Sequence, residues 1–392
     1  MKQGTGLLLV ILAGTAVWAA SEKANSGKIT VQELKDILVA MQTAKKTDFE
    51  VATRLKELEL TEELTRPVME GLAAFLPGQQ ATEQMYVLEG RSAILPPPPA
   101  DLPNTPAPDM AAQKAILAKA ADYVNRTYMK NPHLTAMKST SRFQDGVENI
   151  RTNSGMTNNM PNSGESWKLP NMYMRYYGTH TDTIETIQGI EKPPVVKEKI
   201  PWGVNGQVSE GDPGLNLSVV MQEASEGGKL NWLRWEKIGN RELAVFSFAV
   251  AKKKSRYEVH YCCFPVTSDT GRMGYEHTEP NLQYGTDWKD FKTTVGYHGE
   301  FFIDPTSGAI VRLVTQAELK PTDFVHREDM RIDYGPVPVN GSIYMLPQDS
   351  FTITEVVPNG DNYAAVYSVR HTVFTSSYKN YRIAEPVIAE KK

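Results

Sequence analysis

The residues with the most evident chemical potential are the tetrapeptide His260-Tyr261-Cys262-Cys263. On an extended strand side chains alternate, so His260 and Cys262 face one side and Tyr261 and Cys263 the other. An imidazole and a thiolate two residues apart are two soft ligands for a metal ion, and two neighbouring thiols are a redox couple. Two ligands do not complete a metal site, and free cysteine usually packs as a small hydrophobe. Three readings follow: buried hydrophobes of a strand, a vicinal disulfide, or a ligand pair made of His260 and Cys262. None of the seven histidines falls at the i, i+4 spacing of helical zinc ligands or in a His-Glu-x-x-His pattern, so no cofactor is expected.

Other catalytic signatures are missing. The chain has no Gly-x-Ser-x-Gly elbow, no phosphate-cradling glycine loop and no Cys-x-x-Cys pair. Asp304 and Asp333 could be proposed as hydrolytic carboxylates, but each sits at a turn or strand end where capping explains it. A non-enzyme is therefore expected. The residues that could instead form a binding surface are aromatic: Trp232, Trp235, Phe246, Phe248 and Tyr257 fall in neighbouring strand-like segments. Such a band is either the floor of a site for an apolar guest or simply core.

The elements that must position these residues begin with an export signal. Residues 1–19 carry Lys2, an apolar run of roughly 15 residues and small residues at Val17 and Ala19, the pattern of a secretory signal peptide cleaved after Ala19. That run is short for a bilayer core, which needs about 20 helical residues. With the only cysteines at Cys262 and Cys263, no lipid-modified N-terminus is expected either. The expected location is periplasmic or extracellular, with no stable membrane span. Removal of Lys2 moves the formal net charge from −4 to −5, which excludes a nucleic-acid footprint. Two adjacent cysteines can close only a strained eight-membered ring, so no disulfide staples the fold and packing alone must hold it.

The mature chain reads as α+β in two parts. A small helical domain over 28–92 opens with two capping boxes, Thr30-Val-Gln-Glu33 and Thr47-Asp-Phe-Glu50. Helices are expected over 31–43, from Phe49 to Leu58, after Thr65-Arg-Pro67, and over 80–91. Residues 93–108 form a Pro-rich linker, with seven prolines between Leu95 and Pro108, expected to run as a stiff polyproline spacer. The remainder, 109–385, opens with a helix capped by Asp109 and then switches to period-two patterning. Eleven strands are expected: 134–144, 168–177, 180–190, 230–238, 242–250, 256–264, 298–304, 309–318, 326–335, 342–355 and 364–378. Asn149–Glu165 and Lys192–Gly214 read as loops, Leu215–Ala224 as a helix placed like a lid, and Asp269–Asp290 as a polar, mobile run.

One hairpin carries a family likeness. Tyr297-His-Gly-Glu-Phe-Phe-Ile-Asp-Pro-Thr-Ser-Gly-Ala-Ile-Val-Arg-Leu313 is a strand, an Asp304-Pro305-Thr306-Ser307-Gly308 turn and a return strand. It resembles the Asp-Pro-x-Thr/Ser-Gly hairpin of periplasmic proteins with the lipoprotein-carrier fold, and the strands from 134 to 383 resemble that fold's sheet. The resemblance implies a large curved antiparallel sheet, a half-barrel, with one or two packed helices and a concave face that holds a lipid or other apolar small molecule. The helical arm and the spacer depart from a minimal carrier, and no binding residue is transferred. The alternative is an interaction module of the cell envelope, with the sheet filled and an envelope protein as partner.

Overall fold

The computed structural model describes residues 28–99, 102–147, 172–192, 206–207, 216–227, 229–267, 286–320, 322–323, 325–356 and 371–384. The side chains of residues 66–67, 145–147, 172–175, 206–207, 262–267 and 286–290 are outside that description. The expected signal peptide, the Asn149–Glu165 loop and most of the 192–214 loop lie outside the described residues. The chain divides into two compact units at Ala100/Asp101.

The first unit is written by its caps. Thr30 Oγ1 accepts from the Glu33 amide (3.2 Å) while the Glu33 carboxylate accepts from the Thr30 amide (2.8 Å), which starts helix α1 (Val31–Thr43). The same reciprocal pair at Thr47 and Glu50 starts α2 (Asp48–Lys56). Lys46 and the Thr47 amide hold the exposed Glu50 carboxyl down to about 2. Helix α3 (Arg66–Leu72) is followed by a 3-10 turn over Ala73–Phe75, and α4 (Gln79–Ser92) closes the set. Gly78, which precedes α4, has no side chain to cap it. The Asp48 carboxylate of α2 does so instead, accepting from the amides of Gln80 (3.0 Å) and Ala81 (2.9 Å). A Cβ on Gly78 would stand 2.6 Å from that carboxylate, so glycine is what lets the acid approach. Leu34, Leu38, Leu55, Leu58, Leu64 and Met85 form the core of this unit. A two-residue parallel pair, β1 (Lys28–Ile29) with β2 (Glu59–Leu60), ties the stretch before α1 to the stretch after α2. The first prolines of the linker belong here, with the Pro96 carbonyl accepting from the Glu63 amide at 2.8 Å.

The second unit is α+β and is built on a ten-stranded antiparallel sheet. Its strands are β3 (Leu134–Val147), β4 (Met172–Ile187), β5 (Ile190–Lys192), β7 (Asn231–Ile238), β8 (Arg241–Val250), β11 (Gly296–Ile303), β12 (Ile310–Glu318), β13 (Val325–Val339), β14 (Ser342–Val356) and β15 (His371–Ile383). They run in the order β5-β4-β3-β15-β14-β13-β12-β11-β8-β7, so β3 and β15, distant in sequence, are neighbours inside the sheet. Among the described strands the sheet is open, with β5 and β7 at its edges. Asn340 and Gly341, both at positive φ, make the two-residue β13–β14 turn, as an Asn-Gly pair between alternating strands should.

Two differences from the sequence expectation concern this unit. The strands expected at 168–177 and 180–190 are one strand, β4, because an extra residue at Tyr177 is absorbed as a bulge opposite Arg142 and Phe143. The strand expected at 256–264 does not join the large sheet. It is β9 (Glu258–Thr267), the centre of a three-stranded sheet between β10 (Thr286–Thr294) and β6 (Gly206–Gln207). The polar run expected through Asp290 therefore ends at Thr286, since β10 finds the whole length of β9 as a partner. Residues 269–285 are outside the described chain.

Two helices pack on one face of the sheet. Helix α5 (Met110–Arg126) buries Ile116, Ala120 and Val124 at i, i+4, i+8. Helix α6 (Leu217–Gly227) buries Leu217, Val220, Met221 and Ala224 at i, i+3, i+4, i+7. Both join a core with Ala244, Phe246 and Phe248 of β8, Tyr297 and Phe301 of β11 and Leu313 of β12. The Asp304–Gly308 turn also meets α5. Lys119 Nζ donates to the Pro305 carbonyl at 3.1 Å, and a Cβ on Gly308, whose φ is +77°, would lie 2.5 Å from the Lys119 carbonyl oxygen. No described helix is long and apolar enough to cross a membrane.

Candidate ligand-binding face

Strands β7 and β8 are adjacent, and Trp232 pairs with Phe246 while Trp235 pairs with Ala244. In a regular strand residues three apart would face opposite sides. The register shift between Trp232 and Arg234 leaves Leu233 as a bulge, and this returns both indoles to the inner face. There Trp232 meets Trp235 edge-on with centroids 5.0 Å apart and Phe246 at 5.4 Å. Phe248 lies 4.5 Å from Phe301 and 5.9 Å from Tyr297, and Tyr257 meets Tyr297 edge-on at 5.7 Å. The five aromatic residues singled out in the sequence therefore join one apolar cluster. Their burial is unequal: Phe246 and Phe248 are 1% and 2% exposed, whereas Trp232 and Trp235 are only partly covered.

What covers Trp235 is the end of the proline segment. Its indole Nε1 donates to the Pro106 carbonyl (2.9 Å), and Thr105 Oγ1 donates to Glu242 Oε2 (2.9 Å). Within the second unit the segment thus lies along β7 and β8 and is tied by side-chain hydrogen bonds.

Two buried carboxylates were not legible as functional from the sequence. Tyr257 Oη donates to Glu328 Oε1 (3.1 Å) and Tyr297 Oη donates to Glu223 Oε2 (2.8 Å). Glu223 Oε1 also accepts from the Arg256 amide (3.1 Å) and Arg256 Nε (3.0 Å). Glu223 is 3% and Glu328 1% exposed. Burial, and then the facing carboxylate, holds both phenols above their ordinary range, so they stay protonated and act as fixed donors. This arrangement clamps α6 to β11 and to the turn before β9. The signal that could have revealed it is phase: Glu223 falls on the apolar stripe of α6, and Glu328 shares the inward phase of Met330 on β13.

His260 and Cys262 are both on β9. Tyr257, Val259 and Tyr261 point into the core, and His260 is on the opposite, partly exposed side, paired with Lys292 of β10. The side chain of Cys262 lies outside the described residues. Among the described residues, no group of three or more His, Cys, Asp or Glu is placed to hold a metal ion. The two aspartates considered as hydrolytic acids have structural partners. Asp304 Oδ1 accepts from the amides of Thr306 and Ser307, and Asp333 pairs with Arg312 on the outer face.

That outer face is charged. Arg234 grips Glu300 through two bonds (3.2 and 2.9 Å) and reaches Glu236 at 2.7 Å, and Arg331 shares Asp333 with Arg312. The guanidinium groups of Arg234 and Arg312 lie 5.9 and 5.5 Å from the Phe302 ring. Opposite charges thus run from strand to strand across this face, around buried Val245, Phe302 and Val314.

Comparison of the chain with protein-family models, with curated proteins and with solved structures finds no match.

Proposed function

We propose that the chain is an exported, non-catalytic protein of the cell envelope whose second unit is an interaction module on a lipoprotein-carrier-like half-barrel, with its own helices filling the apolar face. The observation that carries this reading is the closure of the aromatic band. Phe246 and Phe248 are almost fully buried beneath α5 and α6, and Glu223 holds α6 in place from within the core. A core packed this way leaves no room for an acyl chain unless a helix moves. The reading calls for no metal and no cofactor, and its partner is an envelope protein.

A second reading has one observation in its favour. Trp232 and Trp235 are only partly covered, and the cover over Trp235 is a strap held by a hydrogen bond at Pro106 and another at Thr105. If the strap lifts, the indoles become one wall of a site for an apolar small molecule or lipid. The deciding experiment purifies the mature chain, from Ala20, out of an envelope fraction and applies native and lipid-extract mass spectrometry. The filled-module reading expects a clean apo mass and no uptake of fatty-acid probes. A lipid held at about one per chain and displaced by such probes would overturn it in favour of the carrier reading.

A further inference from the structure

The proline segment that reaches the inner face is built to stay extended. Pro103, Pro106 and Pro108 fix φ at about −65°, and Leu102, Thr105 and Ala107, each followed by a proline, are turned away from helix. Residues 102–108 form neither helix nor strand, and Asp109, which follows, has φ −64° and ψ 169°. These are the terms of a polyproline II chain, whose backbone makes no hydrogen bonds with itself and so offers its carbonyls to another group.

The groups that meet it on the sheet are a donor and an acceptor on one face. Trp235 pairs with Ala244 across β7 and β8, and Glu242 stands two residues from Ala244, so both side chains project to the inner side. Trp235 Nε1 donates to the Pro106 carbonyl at 2.9 Å, and Glu242 Oε2 accepts from Thr105 Oγ1 at 2.9 Å. Successive residues of the segment are thus read by an indole N–H and a carboxylate, and the Trp232 ring extends the aromatic wall with its centroid 5.0 Å from that of Trp235. Aromatic-lined surfaces take extended proline-rich segments because a chain already held in shape loses little freedom on docking. The contact is superficial. Residues 104–107 are exposed, and α5 is capped independently, with Asp109 accepting from the Ala112 amide at 2.7 Å and Gln113 Nε2 donating to the Pro108 carbonyl at 2.7 Å. The segment can therefore leave Trp235 without unmaking α5.

We infer that Trp235 and Glu242 form a recognition site for a proline-rich, extended segment of a partner protein, and that residues 102–108 of this chain occupy it as a built-in competitor. The inference rests on the reading of the second unit as an interaction module and names the chemistry of its partner. An apolar guest satisfies neither the indole N–H nor the carboxylate, whereas a proline-rich segment brings a carbonyl to one and a donor to the other. Since a carboxylate only accepts, the residue before the contacted proline must carry a hydroxyl or a cation.

The test is fluorescence anisotropy of a labelled peptide copying residues 101–109. It is titrated with the chain from Ala20 and with its Pro103→Gly/Thr105→Val/Pro106→Gly variant, in which the chain's own segment is loosened. A tethered competitor acts at roughly millimolar effective concentration, so the peptide should bind the variant at least about tenfold more tightly than the wild type. Added to that variant, Trp235→Phe should weaken binding about tenfold. Glu242→Lys should move the preference from a peptide carrying Thr105→Lys to one carrying Thr105→Glu, a reversal that a merely structural role would not produce. No binding to the loosened variant, equal binding of a peptide whose three prolines are alanine, or no charge preference at Glu242 would overturn the inference. So would uptake of laurate in place of the peptide, which assigns the face to an apolar guest, or dimers of the loosened variant without peptide uptake, which assign it to a second copy. A clean apo mass with no peptide binding removes this inference and leaves the filled module standing, whereas co-purified lipid overturns the module reading itself.

Discussion

Five tyrosines of the second unit, Tyr128, Tyr257, Tyr297, Tyr334 and Tyr381, are buried, and burial is the first cause holding each phenol above its ordinary value. The folded state therefore keeps these protons where the unfolded chain, with phenol pKa near 10, releases them. For a group raised in the folded state, the stabilisation is fully present below the unfolded value, and it is lost as pH rises toward the folded one. At pH 11 each unfolded phenol lowers the free energy of the unfolded state by about 1.4 kcal/mol, or roughly 7 kcal/mol for the five. That equals much of the roughly 5–15 kcal/mol by which a domain is stable. The second unit should accordingly unfold with a midpoint between about pH 10.5 and 12. The assay is a joint alkaline titration, with phenolate absorbance and near-ultraviolet circular dichroism followed on one sample. Buried phenols should ionise together with loss of the dichroism, and Tyr334→Phe should lower the pH slope of stability by about 1.4 kcal/mol per unit. Ionisation of all tyrosines near pH 10 with the dichroism intact would refute the reasoning.

Three further perturbations test the packing. Gly299→Ala places a Cβ 1.9 Å from the Val314 carbonyl oxygen on the neighbouring strand, so backbone must move; a loss above about 3 kcal/mol in urea unfolding is expected, and wild-type stability would contradict the register. A double-mutant cycle of Glu223→Gln and Tyr297→Phe, read by the same unfolding, should give a coupling of about 1.5–3 kcal/mol; a value near zero would mean α6 is held by its apolar stripe alone. Asp48→Ala removes the acceptor of the Gln80 and Ala81 amides and should destabilise the first unit by about 1–2 kcal/mol. Hydrogen exchange at those two amides should quicken selectively, and unchanged exchange would show that α4 needs no such cap.

The helical unit was the most legible part of the chain because its signals are local. Thr30-Val-Gln-Glu33 and Thr47-Asp-Phe-Glu50 state where two helices begin, and the first helix covers the expected 31–43. The Asp48 cap on α4 was not legible, since its donor helix is 32 residues away and nothing in the spacing links them. Strand positions were likewise readable from period two and turn residues. The bulges at Tyr177 and Leu233 were not, because an extra residue reveals itself only against the register of a partner strand.

By itself the sequence determined the α+β class, the division into a helical unit and a sheet unit, and the aromatic band, because each rests on composition or on periodicity within one segment. The tertiary structure alone decided which strands are neighbours. It set β9 in a separate sheet, brought β3 beside β15 and turned Trp232 and Trp235 to one face. It also decided that Glu223 and Glu328 would meet phenols and that Pro106 would reach Trp235. These are pairings of residues far apart in the chain, selected by which apolar surfaces can be buried together. That choice depends on the summed packing of the whole sheet and helices, which no single stretch of sequence records.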